Sequence, residues 1–167
     1  EIRDKDGVSA VALLCEMAAY EKEKGRSLYE KMIDLYVEYG LYKEHLISIT
    51  KKGMDGQQQI AAMMESYRKD PPKTINGTPV VQLLDYELRK GQNPQTGEYW
   101  TIDLPKSNVL QFILADGSSI SARPSGTEPK IKFYFSVNTQ LENAAAFDAK
   151  NAELDAKIKA IIADMKL

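Results

Sequence analysis

The run Arg123-Pro124-Ser125-Gly126-Thr127-Glu128-Pro129-Lys130 concentrates groups that suit an oxyanion. Arg123 offers a planar fork of donors that matches phosphate geometry. Ser125 and Thr127 add hydroxyl donors. Gly126 lets the backbone come close to a ligand, and the amide N–H groups of its neighbours can form an anion nest. Pro124 and Pro129 stiffen the two ends, which lowers the cost of ordering the loop on binding. With Lys130 and Lys132, the stretch from Arg123 to Lys132 sets three positive charges against Glu128. A blander reading is a tight inter-strand turn with surface charges, and Ser-Gly-Thr alone would get no more than that.

Such a site has to be local, because the chain as a whole is nearly neutral. Its 167 residues carry 22 basic and 24 acidic side chains, a net charge of −2. This balance gives no general attraction for nucleic acid or an anionic membrane surface. A composition of 43% hydrophobic and 28% charged residues is that of an ordinary globular protein. The single cysteine, Cys15, rules out an intrachain disulfide. No apolar stretch approaches a membrane span, and no signal-peptide pattern opens the chain. A cytoplasmic location and no membrane partner are expected. The first residue is Glu1 rather than methionine, which reads as the sign of a piece of a longer protein.

The elements that must hold the loop follow from periodicity. Val8 to Ala19 reads as a helix that is apolar on nearly every side. Such a helix is normally covered by a larger body, so a covering domain is expected. Ser27-Leu28-Tyr29-Glu30 is a capping box that starts a second helix, with Gly40 at its stop. A linker is placed at 41–44, and a strand at 45–52. Asp55 should cap a third helix, with Ile60, Met63, Met64 and Tyr67 as its buried stripe. Strands are expected over 80–89, 99–104, 109–115, 120–123 and 130–137. Asn93-Pro94-Gln95-Thr96-Gly97 is a loop, and Asp116-Gly117 marks a hairpin. Ile131, Phe133, Phe135 and Val137 alternate with Lys130, Lys132, Tyr134 and Ser136, a clear period of two. Thr139-x-x-Glu142 reads as the capping box of a last helix bearing Leu154, Ile158, Ile161, Ile162 and Met165. Two helices covering one face of an antiparallel sheet give an α+β fold.

Set in that order of elements, Arg-Pro-Ser-Gly-Thr-Glu-Pro-Lys resembles the phosphate-binding loop of the last domain of the α-D-phosphohexomutases. The strand Ile131-Lys132-Phe133-Tyr134-Phe135 follows it as in that family. The resemblance covers essentially the whole chain. Arg3-Asp4-Lys5-Asp6-Gly7, Met17-Ala18-Ala19-Tyr20 and Leu35-Tyr36-x-x-Tyr39-Gly40 look like the close of the third mutase domain. Leu104-Pro105-Lys106-Ser107-Asn108-Val109-Leu110 and Asp116-Gly117-Ser118 look like further family signposts, of the bacterial phosphoglucomutase-like branch.

The resemblance implies a helical remnant of the third domain over 1–40. Over 41–167 it implies a C-terminal domain of the TATA-box-binding-protein-like type. In the family, a phosphoserine in the first domain gives its phosphoryl group to a sugar phosphate. The resulting bisphosphate turns over in the cleft and returns its other phosphate to the serine. The last domain holds the phosphate that is not being transferred. Arg123, Ser125, Gly126 and Thr127 are by resemblance that grip, and Lys132 stands where relatives usually carry an arginine. Lys5 matches a family lysine near the transferring phosphate. The resemblance further implies Mg2+ bound by a loop this sequence does not contain, and a glucose 1,6-bisphosphate-type activator. Its partners would be the phosphosugar and the N-terminal mutase domains. Without the serine, metal and sugar-specificity loops, the chain alone is expected to bind weakly and not to turn over.

The remaining candidates read as structural. His45 is a lone histidine at a strand start and is given no role. Cys15 is expected to be a buried small hydrophobe. Asp4 and Asp6 are expected to cap a helix rather than bind metal. Tyr99-Trp100 could stack on a sugar, but packing on the core is expected instead. A rival reading is a non-enzymatic anion or nucleic-acid binding module, which the slightly negative charge and the lack of a basic stripe disfavour. Another is an interaction domain that uses the apolar first helix.

Overall fold

The computed structural model describes residues 5–51, 53 and 55–167. They fall into two compact units: the segment ending at Leu41 with Gln140–Lys150, and Tyr42–Thr139 with Asn151–Leu167.

The first unit holds α1 (Gly7–Glu23), α2 (Leu28–Tyr39) and a 3-10 turn at Ala144–Ala146. The Asp6 carboxylate caps α1, accepting from Ser9 N–H at 3.0 Å and from its hydroxyl at 2.6 Å. Those bonds hold the Asp6 carboxyl below its usual range. The capping expected of Asp4 lies outside the described residues. The capping box of α2 is complete: Ser27 Oγ accepts from Glu30 N–H at 3.2 Å, and Ser27 N–H donates to Glu30 Oε2 at 2.7 Å. Tyr29 meets the Phe147 ring edge-on and Tyr36 stacks on it, both with centroids 6.1 Å apart.

Along α1, Val8, Val11, Leu13, Leu14 and Tyr20 are exposed, and so is Cys15, which corrects its expected burial. A helix apolar on every side needs cover on every side, and α2 supplies it on one.

The second unit is built on a sheet. Its strands are β1 (Leu41–Thr50), β2 (Thr74–Ile75), β3 (Thr78–Asp85), β4 (Lys90–Gln92), β5 (Tyr99–Thr101), β6 (Leu110–Leu114), β7 (Ser119–Pro124) and β8 (Lys130–Thr139). They lie in the order β1-β8-β7-β6-β3-β4-β5, with β2 beside β3. Two helices, α3 (Gly56–Lys69) and α4 (Phe147–Asp164), bury Ile60 and Met64, and Leu154, Ile158 and Ile161. Against them lie Leu110, Phe112 and Leu114 of β6, Ile120 and Ala122 of β7, and Ile131, Phe133, Phe135 and Val137 of β8. This is the expected α+β arrangement, an antiparallel sheet with helices on one face.

Several boundaries differ from the sequence reading. Leu41 to Glu44 belong to β1 rather than to a linker. Gly40, at φ 95°, lets the chain leave α2 and enter the strand in one residue. The stretch 80–89 is not one strand, because the Asp85 carboxylate accepts from the N–H groups of Glu87 and Leu88 and turns the chain. Thr139 remains in β8, and no helix starts there. Asn143 caps the turn that follows, its Oδ1 accepting from Ala146 N–H at 3.1 Å. Asp55 occupies the N-cap position of α3 but makes no side-chain capping bond.

Tyr99 and Trp100 are exposed on the edge strand β5 rather than packed in the core. Trp100 pairs across the strands with Gly91 and lies over it. A Cβ at Gly91 would come within 2.2 Å of the indole Cε2 and Nε1. The indole is rigid, so Gly91→Ala is expected to push Trp100 off the sheet and cost about 1–3 kcal/mol. Trp100 is the chain's one tryptophan, so its fluorescence reports on this site alone. A red shift of its emission is expected, and an unshifted spectrum would refute the packing described here.

Candidate anion-binding site

Strands β7 and β8 place the loop of residues 125–129 at one end of the sheet. Their register pairs Arg123 with Lys132, Ser121 with Tyr134 and Ser119 with Ser136. Cross-strand partners share a face, and neighbours along a strand alternate. Ala122 and Phe133 are fully buried under the helices, so Arg123 and Lys132 project from the opposite, open face.

Inside the loop, Ser125 N–H donates to the Lys130 carbonyl at 2.8 Å. Ser125 Oγ accepts from the N–H groups of Thr127 (3.4 Å) and Glu128 (3.2 Å). With both lone pairs engaged, its own proton is left to donate outward. The amides flanking Gly126 are thus turned to partners within the loop, so ligand capture rests more on side chains than on an amide nest. The far end is pinned from outside: Lys51 N–H donates to the Pro129 carbonyl at 2.9 Å. A Cβ at Gly56 would meet Pro129 Cβ at 2.9 Å, so the start of α3 also abuts that end.

Gly126 is informative because neither its backbone conformation nor crowding by the described residues calls for a glycine. Its φ is not in the left-handed region, and a Cβ there would meet nothing within 4 Å. The space beside it is open to an incoming group.

A cavity of about 280 Å³ is lined by Arg123, Pro124, Ser125, Gly126, Glu128, Lys130, Lys132 and Tyr134. Three cationic side chains thus face it against one carboxylate. Among the described residues, no carboxylate forms an ion pair with Arg123, Lys130 or Lys132. Like charges directly opposite on neighbouring strands destabilise a sheet by about 0.2–1 kcal/mol. An arginine opposite a lysine without a counter-ion is therefore a poor structural arrangement and a good one for an anion.

Of the residues singled out in the sequence, Arg123, Ser125, Gly126 and Lys132 come together around this cavity. Thr127 is exposed in the same loop but does not line it. Lys5 belongs to the first unit, where it is exposed. Tyr134 also lines the cavity and was given no role from sequence, although the alternation in β8 already set it on the face of Lys130 and Lys132. Asn108, too, was only a signpost. It lies with Gln57 and the loop around a second hollow on the helix side. Arg68 donates to Asn108 Oδ1 at 2.9 Å and, through Nε, to the buried carboxylate of Asp85 at 2.9 Å.

His45 sits in β1 with its ring 6.2 Å from that of Phe135. Among the described residues no group of three or more His, Cys, Asp or Glu side chains could hold a metal ion. No helix among them is long and apolar enough to cross a membrane.

Residues 54–154 match the family model described as phosphoglucomutase/phosphomannomutase, C-terminal domain. The phosphoglucomutase of Staphylococcus haemolyticus is 36% identical over 137 residues, which cover 82% of this chain and 25% of that protein. The phosphoglucomutase of Staphylococcus aureus (strain MRSA252) is 37% identical over 136 residues, covering 81% of this chain and 24% of that one. This chain thus spans about a quarter of the length of the curated relatives it matches. A crystal structure of pp63/parafusin, a phosphoglucomutase from Paramecium in its open form, shares the fold. The TM-score is 0.52 at 20% identity, over 97% of this chain and 28% of that one.

Proposed function

Because the chain belongs to the phosphoglucomutase/phosphomannomutase family, whose C-terminal domain it matches, we propose that Arg123, Ser125, Gly126, Thr127 and Lys132 grip the phosphate of a sugar phosphate. The observation that carries this reading is the Arg123–Lys132 pair, two cations side by side on an open sheet face, neither ion-paired to a carboxylate among the described residues. Arg123 supplies the bidentate fork. Lys132 adds charge without the fork. Ser125 Oγ already accepts within the loop, which leaves its hydroxyl proton to donate to the ligand, and Gly126 leaves room for the phosphate oxygens.

In the whole protein this grip would hold the phosphate that stays put while the other is exchanged with a phosphoserine elsewhere. Sugar 1-phosphate and 6-phosphate would interconvert through a bisphosphate, and a glucose 1,6-bisphosphate-type compound would act as activator. Lys5 would stand near the moving phosphoryl group, where a cation offsets developing charge. Residues 1–40 would close a preceding domain, whose body would cover the exposed apolar side chains of α1, and the phosphate-binding domain would run over 41–167. Magnesium is the metal this family implies, but the described residues do not fit one, so no step assigned to them involves it. These 167 residues hold phosphate and do not by themselves transfer it.

Amide shifts followed during titration with glucose 6-phosphate test the grip, and a coupled assay with glucose 1-phosphate and magnesium tests turnover. Binding near millimolar is expected, since one phosphate contact leaves little after the entropy of association. The shifts should centre on 123–132, and no turnover should exceed that of an Arg123→Ala control. Shifts elsewhere, or genuine turnover, would contradict the proposal.

A further inference from the structure

The open face of the sheet continues beyond the phosphate grip, and its side chains change character there. Next to Arg123 and Lys132 along the strands come Ser121 and Tyr134, and then Ser119 and Ser136. These four line a second cavity of about 380 Å³, together with Glu44 and Leu46 of β1. Tyr134 lines both cavities, so the two are neighbours on this face and meet at its ring. β1 runs antiparallel beside β8: Lys51 N–H meets the Pro129 carbonyl, while His45 lies against Phe135 six residues further along β8.

This row is built of rotatable hydroxyls, one half-exposed aromatic ring, one aliphatic side chain and one carboxylate. None of the hydroxyls of Ser119, Ser121, Tyr134 or Ser136 is engaged by another side chain among the described residues. Each step of two residues along a strand advances about 6.7 Å. That is comparable with the span from a phosphate to the middle of the hexose ring that carries it. A hexose presents hydroxyls at its rim and C–H groups on its faces. The hydroxyl row and the Glu44 carboxylate suit the rim, while Tyr134 and Leu46 suit a face.

We propose that this face is a hexose subsite, in which the ring of the bound phosphosugar lies over Tyr134 and Ser121. Ser119, Ser136 and Glu44 then hydrogen-bond its far hydroxyls. The subsite rests on the phosphate-grip reading and extends it from the phosphate to the sugar. It makes the last domain a contributor to sugar selection and not only an anchor for charge.

The test compares inorganic phosphate with glucose 6-phosphate on the same chain, by amide shifts. Both ligands are expected to move 123–132, and glucose 6-phosphate alone to move Ser121, Tyr134 and Ser136. In a Ser121→Ala/Ser136→Ala variant the preference for glucose 6-phosphate over phosphate should fall about fivefold, the value of a lost hydrogen bond or so. Its amide spectrum, otherwise superimposable on that of the unaltered chain, checks that the fold is kept. If glucose 6-phosphate binds no differently from phosphate, or the variant keeps the full preference, the subsite is overturned while the phosphate grip stands. If neither ligand moves 123–132, both readings fall.

Discussion

Arg123→Ala is expected to weaken glucose 6-phosphate binding by about tenfold to a hundredfold, the value of one or two hydrogen bonds to a charged group. From a millimolar start, that takes the response out of reach of a titration. The same substitution should leave stability unchanged or slightly improved. Arg123 is exposed and stands opposite Lys132, so its removal relieves a like-charge contact worth about 0.2–1 kcal/mol. Loss of binding without loss of stability separates a ligand role from a structural one. Arg123→Lys divides the effect further. It keeps the charge and loses the planar fork, so intermediate affinity is expected if bidentate geometry matters. Full affinity in Arg123→Lys would reduce the site to a patch of positive charge, and full affinity in Arg123→Ala would remove the site altogether. Both outcomes are read from the amide shifts of 123–132 and from urea midpoints measured side by side.

What the sequence made legible, and what it hid, follows from the range of the forces involved. The alternation in β8 was legible because a strand with one buried face writes a period of two directly into its residues. The box of Ser27 with Glu30 and the hairpin at Asp116-Gly117 were legible because both are closed by bonds within a few residues. The box read at Thr139 and Glu142 failed for the complementary reason. Thr139 is held by the sheet, a long-range partner that a local motif cannot report, and Asn143 makes the cap instead. Leu41 to Glu44 read as a linker because an edge strand needs few buried side chains, so its alternation is faint. Tyr99 and Trp100 read from sequence as a strand packing on the core, while the glycine that receives the indole sits on another strand. The phosphate loop itself stood out because its chemistry is consecutive. Tyr134 and the hydroxyl row did not, because they become neighbours only when β7 and β8 pair.

Phe133→Ala should have the largest effect on stability, about 3–5 kcal/mol. Phe133 is fully buried and stands opposite Ala122, so its ring fills the space that the small residue leaves. Neither α3 nor the sheet can close that gap without moving the other, and the cavity stays largely open. With a total stability of about 5–15 kcal/mol for a domain of this kind, such a loss approaches the limit of folding. A urea slope of about 1–3 kcal/mol per M turns it into a fall of the midpoint by one to several M. Phe133→Leu, which keeps most of the volume, should cost far less and so shows that volume is the cause. The position also joins the core to the site. Its two neighbours in β8, Lys132 and Tyr134, face the cavity from the other side of the strand. In Phe133→Leu, where the fold survives, phosphate binding should therefore be nearly intact. A variant that kept its stability but lost binding would mean that the strand moves within the folded state, and that the core sets the geometry of the grip rather than only its existence.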